Sequence, residues 1–445
     1  MIKQTVKKLT PRWLLSLYHY VMALLAAARY GWPSEQLKVI GVTGTSGKTT
    51  TSYLITQLLE LAGQSVGLTS TAVFKVADQE WLNNRKMTML GRGETHRLLR
   101  QMVRTGCRYA VIESSSEGVA QFRHVGIHYD TLVFTNLTPE HLESHGGFAN
   151  YKAAKLKLFQ RLAASKPKRL GGQTIPRTIV ANLDSEHVAD FLQPVVERKI
   201  TFTTNASIKN VSPQPLVAER IVVNKLGINF MVAGVAFSAP LLGDFNVSNL
   251  LAAISVLTTE GYTLVQLAAL TPKLKPCPGR LELIATGQPY TVIVDYAFEP
   301  NALKGLYRVV EQFKQPGGRV IQLLGSAGGG RDQKPRPIKG ELAATHADIV
   351  IVTNEDPYDE DPTEIINQVA MGAKGKGKIE GKNLFKILDR REAIAQAVSL
   401  ARAGDIVLIT GKGCEQAMAV ANGKLLPWDD RTVVREEVTR LGGSS

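Results

Sequence analysis

A glycine-rich segment near the amino terminus constrains the fold of this chain more than any other feature. Residues 38 to 63 read KVIGVTGTSGKTTTSYLITQLLELAG: an apolar β-branched run, a glycine loop and then apolar residues at helical spacing. A strand, a glycine loop and a helix in that order are typical of a phosphate-binding loop at the edge of a parallel sheet. The segment therefore predicts an α/β fold that binds a nucleotide at this loop.

The loop residues suit a triphosphate. Backbone N–H groups from Gly44 to Lys48 can surround phosphate oxygens at the positive end of the helix, and Lys48 can neutralise the β and γ phosphates. The Thr49 hydroxyl can bind Mg²⁺. The loop has Val42 where the common eight-residue pattern has glycine, and a structural glycine turn is the alternative. The residues assigned to ATP are Gly44, Thr45, Ser46, Gly47, Lys48, Thr49 and Thr50.

Two later segments begin as buried strands and end in polar residues. RYAVIESSSEGV (108–119) contains Glu113, and YDTLVFTNLTPEHLESHG (129–146) contains His141. In an open parallel sheet, ligands gather at the carboxyl ends of the strands. We therefore expect Glu113 and His141 to lie near the loop and to contribute to a metal site.

The remainder of the chain predicts a second domain. With 445 residues, the chain is long enough for two or three domains. From about residue 278, four apolar runs alternate with helical stretches: TVIVDYA, RVIQLLGSAGGG, ADIVIVTNEDP and DIVLITGKG. We predict a central ATP-binding domain with a mostly parallel sheet over residues 38–277 and a Rossmann-like α/β domain over residues 278–445.

The net charge of +14 favours anionic partners. Its basic clusters are not interleaved with aromatic residues, so we expect nucleotides, phosphorylated substrates or an acidic membrane surface rather than nucleic acid. Only three cysteines occur, without paired or metal-binding spacing, which suits a reducing cytoplasm. We expect a monomer.

Residues 1–37 form a basic and apolar segment with two open interpretations. Lys3, Lys7, Lys8 and Arg12 lead into LLSLYHYVMALLAAARYGW, whose apolar run is interrupted by His19 and Arg29. The run falls short of the ~20 residues that span a bilayer. Residues 1–36 are either a helix that lies on an anionic membrane or a helix that packs on the following domain.

Nine motifs together resemble one enzyme family. They follow the order and approximate spacing of motifs in the Mur ligases, and they resemble the MurE type most closely. The motifs are TGTSGKTT, ESSS, FTNLTPEHLESHG, NYKAAKLKLF, GDFNVSNLLAA, PGRLE, DYAFEPNAL, GRDQKPRP and GKGCEQ. The resemblance implies ATP-driven amide-bond formation in peptidoglycan synthesis. A carboxylate would be activated as an acyl phosphate, and an amino acid would be added to a muramyl-peptide-like acceptor, so both substrates would be small molecules.

The resemblance also implies roles for individual residues. Lys155 of NYKAAKLKLF would be carbamylated and would hold a second Mg²⁺ with Glu113 and His141. The implied catalytic residues are Lys48, Glu113, His141 and Lys155, and the implied metal ligands are Thr49, Glu113, His141 and carbamylated Lys155. Asn246 and Asn249 would lie near adenine, Arg280 near phosphate and Asp295 near ribose. Their alternative roles are a helix cap, a surface ion pair and the end of a strand.

Substrate contacts are implied on both domains. The acceptor would meet Thr88, Ser115, Ser116 and Arg123, and the amino acid would meet Asp356, Tyr358, Gly411 and Glu415. Diaminopimelate enzymes of the family carry DNPR, but Tyr358 here replaces the arginine that binds a second carboxylate. A cationic side chain such as that of lysine or ornithine is favoured instead by Glu355, Asp356, Asp359 and Glu360.

Three questions stay open. The family's uridine-binding domain has no counterpart in residues 1–36, so the acceptor is either UDP-linked and held by the central domain or lipid-linked. Cys414 stands where the family has histidine and is expected to be inert. The alternative functions are a ligase for another carboxylate, as in folylpolyglutamate or cyanophycin synthesis, and a membrane-tethered, non-catalytic nucleotide-binding protein.

Overall fold

The computed structural model describes residues 12–139, 145–208, 212–330 and 333–442. In chain order, its first strands are β1 (Lys38–Thr43), β2 (Val66–Thr69), β3 (Val73–Val76), β4 (Gln79–Leu82), β5 (Tyr109–Glu113), β6 (Thr131–Phe134), β7 (Lys168–Leu170), β8 (Gln173–Ile175), β9 (Thr178–Asn182), β10 (Arg198–Thr203), β11 (Leu216–Val217), β12 (Glu219–Asn224), β13 (Gly227–Val232) and β14 (Val235–Ala239). The helices of this part are α1 (Arg12–Arg29), α2 (Lys48–Leu61), α3 (Arg92–Arg104), α4 (Ser116–Ala120), α5 (Phe148–Ala164), α6 (Val188–Leu192), α7 (Phe245–Thr259) and α8 (Leu264–Leu270).

Nine of these strands form one sheet, in the order β11-β10-β9-β6-β1-β5-β2-β3-β4. The pairs are parallel except at the β2-β3-β4 edge, which is antiparallel. β1 lies between β5 and β6, so the ends of all three strands reach the same edge of the sheet. This arrangement confirms the mostly parallel sheet that the apolar runs predict.

Helices cover both faces of the nine-stranded sheet. On one face, Leu54 and Leu58 of α2 pack with Ile254 of α7, and on the other, Leu158 and Phe159 belong to a second apolar cluster. Burial on both faces explains why β1, β5 and β6 are continuous apolar runs rather than alternating ones. The β7-β8 hairpin and the antiparallel β12-β13-β14 sheet were not predicted from the sequence.

A second sheet follows. Its strands and a final hairpin are β15 (Glu282–Leu283), β16 (Thr291–Asp295), β17 (Val320–Leu324), β18 (Ile349–Thr353), β19 (Leu384–Ile387), β20 (Ile406–Thr410), β21 (Ala417–Val420) and β22 (Lys424–Pro427). The helices are α9 (Pro300–Phe313), α10 (Pro335–His346), α11 (Pro362–Gly375), α12 (Arg390–Leu400) and α13 (Asp430–Gly442). Short 3₁₀ turns cover Pro33–Gln36, Thr271–Lys273 and Ala421–Gly423.

The order of the second sheet is β15-β16-β20-β17-β18-β19, and only the β15-β16 pair is antiparallel. The four predicted apolar runs are β16, β17, β18 and β20, which confirms the second α/β unit. β19 was missed because its four residues lie at the sheet edge and carry a lysine. No helix in the described ranges is both long enough and apolar enough to cross a membrane.

Candidate active site

The predicted phosphate loop connects β1 to α2, and two of its glycines have no room for a side chain. A Cβ on Gly44 would lie 1.9 Å from the Thr135 hydroxyl oxygen, and a Cβ on Gly47 would lie 2.3 Å from the side-chain oxygen of Asn249. Gly47 also has φ of 81°, in the left-handed region that favours glycine. Glycine is therefore required at both positions, because the end of β6 and the helix α7 approach the loop backbone closely.

The end of β6 holds the loop in place. The Asn136 carbonyl accepts a hydrogen bond from the Thr45 N–H at 2.9 Å, and its side-chain oxygen accepts one from the Ser46 N–H at 2.9 Å. The Thr45 hydroxyl lies 3.0 Å from the Tyr151 hydroxyl, and Lys48 Nζ donates to the Thr45 carbonyl at 2.6 Å. Asn136 and Tyr151 were not predicted as site residues, although they lie in FTNLTPEHLESHG and NYKAAKLKLF.

Glu113 is the centre of a hydrogen-bonded row of side chains at the end of β5. Its Oε1 accepts from the hydroxyls of Thr49 and Thr71, each at 3.0 Å, and its Oε2 accepts from the Thr71 N–H at 2.7 Å. Beyond these, the Thr71 hydroxyl lies 2.9 Å from that of Thr88, and Arg280 Nη2 donates to Thr49 Oγ1 at 3.2 Å. We call Thr88, Thr71, Glu113, Thr49 and Arg280 the Glu113 row.

The Glu113 row links a predicted acceptor residue to the phosphate loop. Thr71 was missed by the sequence analysis, but it follows β2, whose carboxyl end lies at the same sheet edge as that of β5. Position after a parallel strand was therefore the signal that could have identified it.

Only one of the three lysines early in α5 faces the loop. Lys155 is 1% exposed, donates to the Gly44 carbonyl at 2.6 Å and lies 4.5 Å from the centre of the Tyr151 ring. Lys152 instead pairs with Asp190 at 2.8 Å, and Lys157 is exposed. Helical spacing explains the difference, because positions 151 and 155 share the face that contacts the sheet.

The histidines of HLESHG are only partly described. His141 lies outside the described residues, so its predicted metal role stays a prediction. His145 Nε2 lies 3.0 Å from the Ser116 hydroxyl, and burial lowers the pKa of His145. Ser115 accepts a hydrogen bond from the Gly118 N–H at 3.2 Å and so caps α4.

Asn246 and Asn249 are buried on the first turns of α7. Asp244 is the N-cap of this helix, so the capping role considered for the two asparagines is wrong. Asn246 donates to the Leu242 carbonyl at 2.7 Å, and Asn249 donates to the Asn246 side chain at 2.8 Å. These bonds direct the Asn249 oxygen towards Gly47, where the loop ends.

Arg280 and Asp295 lie in the cleft between the two sheets. The Arg280 guanidinium lies 4.2 Å from the centre of the Tyr296 ring. Asp295 ends β16 and accepts the N–H groups of Leu281 and Ala297, both at 2.7 Å. Burial raises the pKa of Asp295, although Arg280 opposes this shift. Asp295 thus has the strand-end role, and its contact with ribose stays a prediction.

Four charged side chains form a cluster in the cleft. Three of them follow strands of the second sheet, and the fourth, Lys86, lies between β4 and α3 in the first part of the chain. Lys412 Nζ lies 3.0 Å from Asp356 Oδ1 and 2.5 Å from Glu415 Oε2. Lys86 pairs with Asp356 and lies 3.2 Å from Glu415 Oε2. Burial alone would raise the pKa of Asp356, but the two lysines outweigh it and hold that pKa below its ordinary value. We call Lys86, Asp356, Lys412 and Glu415 the charge cluster.

Two of the other three acidic residues predicted to favour a cationic amino acid have partners, whereas Glu355 Oε2 is buried without a hydrogen-bond partner among the described residues. Glu360 accepts from Arg336 Nη2 at 2.8 Å, and Asp359 accepts from the Asn422 N–H at 2.8 Å. Glu355 is buried against Gly411, where an added Cβ would lie 2.5 Å from Glu355 Oε2. Asp359 and Glu360 are therefore less available to a ligand than the sequence suggests.

Cys414 is fully buried, and burial raises its pKa to about 11. It is therefore a protonated thiol at neutral pH, consistent with an inert replacement.

A cavity of about 1300 Å³ lies between the two sheets. Its walls include 18 of the predicted site residues: Thr45, Ser46, Gly47, Lys48, Thr49, Thr50, Thr88, Glu113, Ser115, Ser116, Arg123, Lys155, Asn246, Asn249, Arg280, Asp295, Tyr358 and Glu415. Arg123 also donates to the Gln121 side chain at 2.7 Å. Three predicted residues, Gly44, Asp356 and Gly411, are not in this lining.

Comparison with known proteins gives the same assignment for both halves of the chain. Residues 42–257 match the Mur ligase middle domain, and residues 279–413 match the Mur ligase, glutamate ligase domain. A UDP-N-acetylmuramyl-tripeptide synthetase of Roseiflexus sp. (strain RS-1) is 39% identical over 95% of this chain and 82% of that protein.

Solved structures agree. A UDP-N-acetylmuramoyl-L-alanyl-D-glutamate–2,6-diaminopimelate ligase superimposes with a TM-score of 0.58 at 30% identity, over 92% of this chain and 79% of the other. A folylpolyglutamate synthase of Mycobacterium tuberculosis superimposes with a TM-score of 0.66 over 96% of this chain and 95% of the other, but at 14% identity it shows the shared fold alone. The chain belongs to the Mur ligase family and is an ATP-dependent amino-acid ligase.

Proposed function

We propose that this protein adds an amino acid to the carboxylate of a muramyl-peptide-like acceptor in peptidoglycan synthesis, with ATP converted to ADP and phosphate. The observation that carries the proposal is the Glu113 row, which connects Thr88 on the proposed acceptor side to Thr49 on the phosphate loop. A carboxylate bound beside this row would lie next to the terminal phosphate of ATP held at the loop.

In the first step, a carboxylate oxygen of the acceptor attacks the γ phosphorus of ATP, and ADP leaves. Lys48 and the loop N–H groups hold the phosphates and stabilise their negative charge. Asn246, Asn249, Arg280 and Asp295 are the proposed contacts to the rest of ATP. The protein mainly positions the two reactants, so no serine or cysteine nucleophile is required.

The oxygen ligands at the loop fit Mg²⁺. Thr49 Oγ1 and Glu113 Oε1 lie 3.0 Å apart, and hydroxyl and carboxylate oxygens are ligands that this ion prefers. Within the described ranges, no group of three or more His, Cys, Asp or Glu side chains is arranged to hold a metal ion. Of the proposed metal ligands that the structure describes, Glu113 alone is of one of these four residue types. When bound, Mg²⁺ would neutralise phosphate charge.

Lys155 is the proposed further ligand, as a carbamate. Carbamylation replaces the ammonium by a group with one N–H and two oxygens. The remaining N–H could keep the hydrogen bond that Nζ now donates to the Gly44 carbonyl at 2.6 Å. The new oxygens would add negative charge beside the loop, together with Glu113 and, by the family resemblance, His141.

In the second step, the amine of the amino acid attacks the carbonyl carbon of the acyl phosphate, and phosphate leaves through a tetrahedral intermediate. Asp356, Tyr358, Gly411 and Glu415 are the proposed contacts to the amino acid. The cavity between the sheets would exclude water from the acyl phosphate when the two sheets close on it.

We propose an amino acid with a cationic side chain, such as lysine or ornithine, rather than diaminopimelate. Tyr358 stands where an arginine would be needed for a second carboxylate. For the acceptor, Thr88, Ser115, Ser116 and Arg123 are the proposed contacts. They serve either a UDP-linked or a lipid-linked molecule.

The test is a screen of single amino acids with ATP and both kinds of acceptor, followed by the mass of the product and by phosphate release. Phosphate release that requires an amino acid and a muramyl peptide together supports the proposal. ATP binding without turnover under any combination would support the non-catalytic alternative, and turnover with a pteroyl acceptor would support a folylpolyglutamate-like ligase.

We also propose that the protein is a cytoplasmic monomer that touches an anionic membrane surface through α1. Ala23 and Ala27 are buried against the rest of the protein, whereas the opposite side of α1 is apolar and exposed. This exposed stripe consists of Leu14, Leu17, Tyr18, Val21 and Leu25, each between 42% and 56% exposed. Basic residues flank the stripe in the sequence: Lys3, Lys7, Lys8 and Arg12 precede it, and Arg29 ends the helix. Their positive charge complements anionic lipid.

Co-sedimentation with vesicles tests this contact. Binding to vesicles of phosphatidylcholine with phosphatidylglycerol, but not to phosphatidylcholine alone, is expected. Leu17→Glu with Leu25→Glu should abolish it, whereas Leu226→Glu, at an 80% exposed leucine elsewhere, should not. Retention of binding in the double variant contradicts the proposal. Dimerisation that the double variant abolishes would instead identify a second copy of the chain as the partner.

A further inference from the structure

Lys86 is the member of the charge cluster that comes from the first sheet's part of the chain. It lies in the segment between β4 and α3, with φ of 53°, a conformation that costs a non-glycine residue free energy. The Asn83 side chain holds this segment by donating to the carbonyls of Ser70 and Met87, at 2.8 and 2.9 Å. The backbone is therefore constrained in a way that projects this one side chain across the cleft.

The partners of Lys86 lie on the opposite side of the cleft. Asp356 follows β18 and Glu415 follows β20, so both carboxylates belong to the second sheet's loops. The Lys86 side chain is 8% exposed and its nitrogen lies 5.8 Å from the centre of the Tyr358 ring. Burial lowers the pKa of Lys86, while Glu415 and Asp356 oppose that shift and favour the ammonium.

The second lysine of the cluster is fixed within the second sheet's part. Lys412 is fully buried and donates to Asp356, to Glu415 and to the Ala417 carbonyl, the last at 2.6 Å. If Lys86 withdraws, two carboxylates remain with one ammonium, which leaves one uncompensated negative charge. Glu415 and Tyr358 line the large cavity, so a small molecule in that cavity can reach this charge.

We propose that Lys86 is a specificity-determining residue that competes, as a tethered cation, with a cationic amino acid for the site between Asp356 and Glu415. The inference rests on the proposed function, because it concerns the amino-acid side of that site. An amino acid with a side-chain ammonium group replaces the ion pairs that Lys86 loses on leaving. A neutral side chain cannot replace them, so an amino acid of this kind binds only with Lys86 still paired to Asp356 and Glu415, and gains nothing from that site.

A tethered competitor reduces apparent affinity by the fraction of protein in which it occupies the site. Removing the Lys86 charge should therefore tighten the binding of lysine or ornithine by roughly three- to tenfold, the range of a partly buried ion pair. Norleucine, which has a side chain of the same carbon number but no side-chain ammonium and so does not displace Lys86, should show no such gain.

The experiment compares Lys86→Met with the unchanged protein. Direct binding of lysine, ornithine, norleucine and diaminopimelate is measured by calorimetry in the presence of ADP and Mg²⁺, and KM is measured where turnover occurs. Lys86→Arg keeps the charge and should bind lysine as the unchanged protein does. Lys75→Met is the matched control, since Lys75 is also buried but pairs with Glu60 and Glu80 on its own side of the cleft.

Tighter lysine binding in Lys86→Met, without a gain for norleucine, supports the inference. Weaker or unchanged lysine binding in that variant overturns it, and so does equal tightening for both ligands. Loss of diaminopimelate binding in Lys86→Met would show that Lys86 binds a substrate carboxylate instead. If lysine binding tightens but no amino acid supports turnover, the inference stands and the proposed function fails.

Discussion

The side-chain oxygen of Asn249 lies so close to Gly47 that a Cβ on this glycine would be 2.3 Å away from it. Gly47 ends the phosphate loop, and Asn249 lies on α7, about 200 residues later in the chain. The contact therefore sets the distance between the loop and the proposed adenine side of the site. It also explains why both positions must keep their residue type if the loop is to keep its shape.

Gly47→Ala should impair nucleotide binding strongly. The alanine would need a left-handed backbone and would collide with Asn249, which together cost roughly 1–3 kcal/mol, or a roughly five- to 150-fold rise in the KM for ATP. Gly63→Ala is the matched control, because Gly63 also has φ of 81° but has no atom within 4 Å of an added Cβ. Gly63→Ala should lower the thermal midpoint only. Equal KM values for ATP in the two variants would contradict the assignment.

Thr71→Val should lower kcat without a comparable loss of folding. The substitution keeps the shape of the side chain but removes the hydroxyl that donates to Glu113 and contacts Thr88. With the carboxylate less well oriented, kcat should fall by roughly tenfold or more. Thr71→Ser restores the hydroxyl and should restore most of the rate. An unchanged kcat in Thr71→Val would remove the Glu113 row from the mechanism.

The loop could be predicted from sequence because its information is local. A strand, glycines at fixed positions and a helix are adjacent in the chain, and Glu113 was found from its place at the end of a strand. The same reasoning could have found Thr71, which follows β2, but β2 is a four-residue strand and was not recognised. Short strands therefore limited the site prediction more than the chemistry did.

The charge cluster shows what local reasoning cannot supply. The sequence suggested an acidic pocket around residue 356, because the neighbours of Asp356 along the chain are acidic. It could not show which distant residues lie close to Asp356 in the folded protein. Lys86 is 270 positions distant and reaches Asp356 only through the arrangement of the two sheets. The sequence thus indicated the negative charge of the residues adjacent to Asp356 in the chain. The net charge of the folded site also depends on Lys86 and Lys412, which only the fold brings there.

Asp430→Asn should destabilise the second α/β unit. Asp430 accepts from Arg390 Nε at 2.8 Å and Nη2 at 2.7 Å, and both side chains are fully buried. Removing one charge of a buried pair costs about 3 kcal/mol or more, so the thermal midpoint should fall by roughly 5–10 °C. Glu436→Gln breaks an exposed pair with Arg391 and should shift the midpoint by roughly 2 °C or less. Similar shifts in the two variants would contradict this ranking.

His124 should make the protein less stable in mild acid. It is 5% exposed, and burial lowers its pKa from 6.5 to about 4, with Arg161 and Lys157 adding to the shift. Between these values the unfolded chain binds a proton that the folded protein does not, so stability falls as the pH decreases from 6.5 to about 4. The contribution is about 3 kcal/mol at most.

His124→Gln removes the titrating group and should flatten this part of the profile. The measurement is the thermal midpoint of both proteins from pH 7 to pH 4, and the difference between them isolates His124 from the other groups. A constant difference across that range would show that His124 does not titrate with a lowered pKa.

Lys155→Ala should abolish turnover while the protein stays folded. The Lys155 nitrogen is buried beside Gly44, and its proposed carbamate would add the negative oxygens that the loop otherwise lacks. Since alanine has no amine, raised carbon dioxide cannot restore the group, but a short carboxylic acid that enters the vacated space can supply an oxygen ligand. Phosphate release should therefore recover partly with acetate or propionate and not with bicarbonate.

The neighbouring lysines provide the control for this prediction. Lys152 pairs with Asp190 and Lys157 is exposed, so Lys152→Ala and Lys157→Ala each remove a lysine from the same helix without reaching the loop. Both should keep kcat within roughly twofold of the unchanged protein, because surface cations contribute little at this distance. Full activity in Lys155→Ala would rule out the carbamate. Equal loss in all three variants would show that the helix charge, rather than one ligand, supports the reaction.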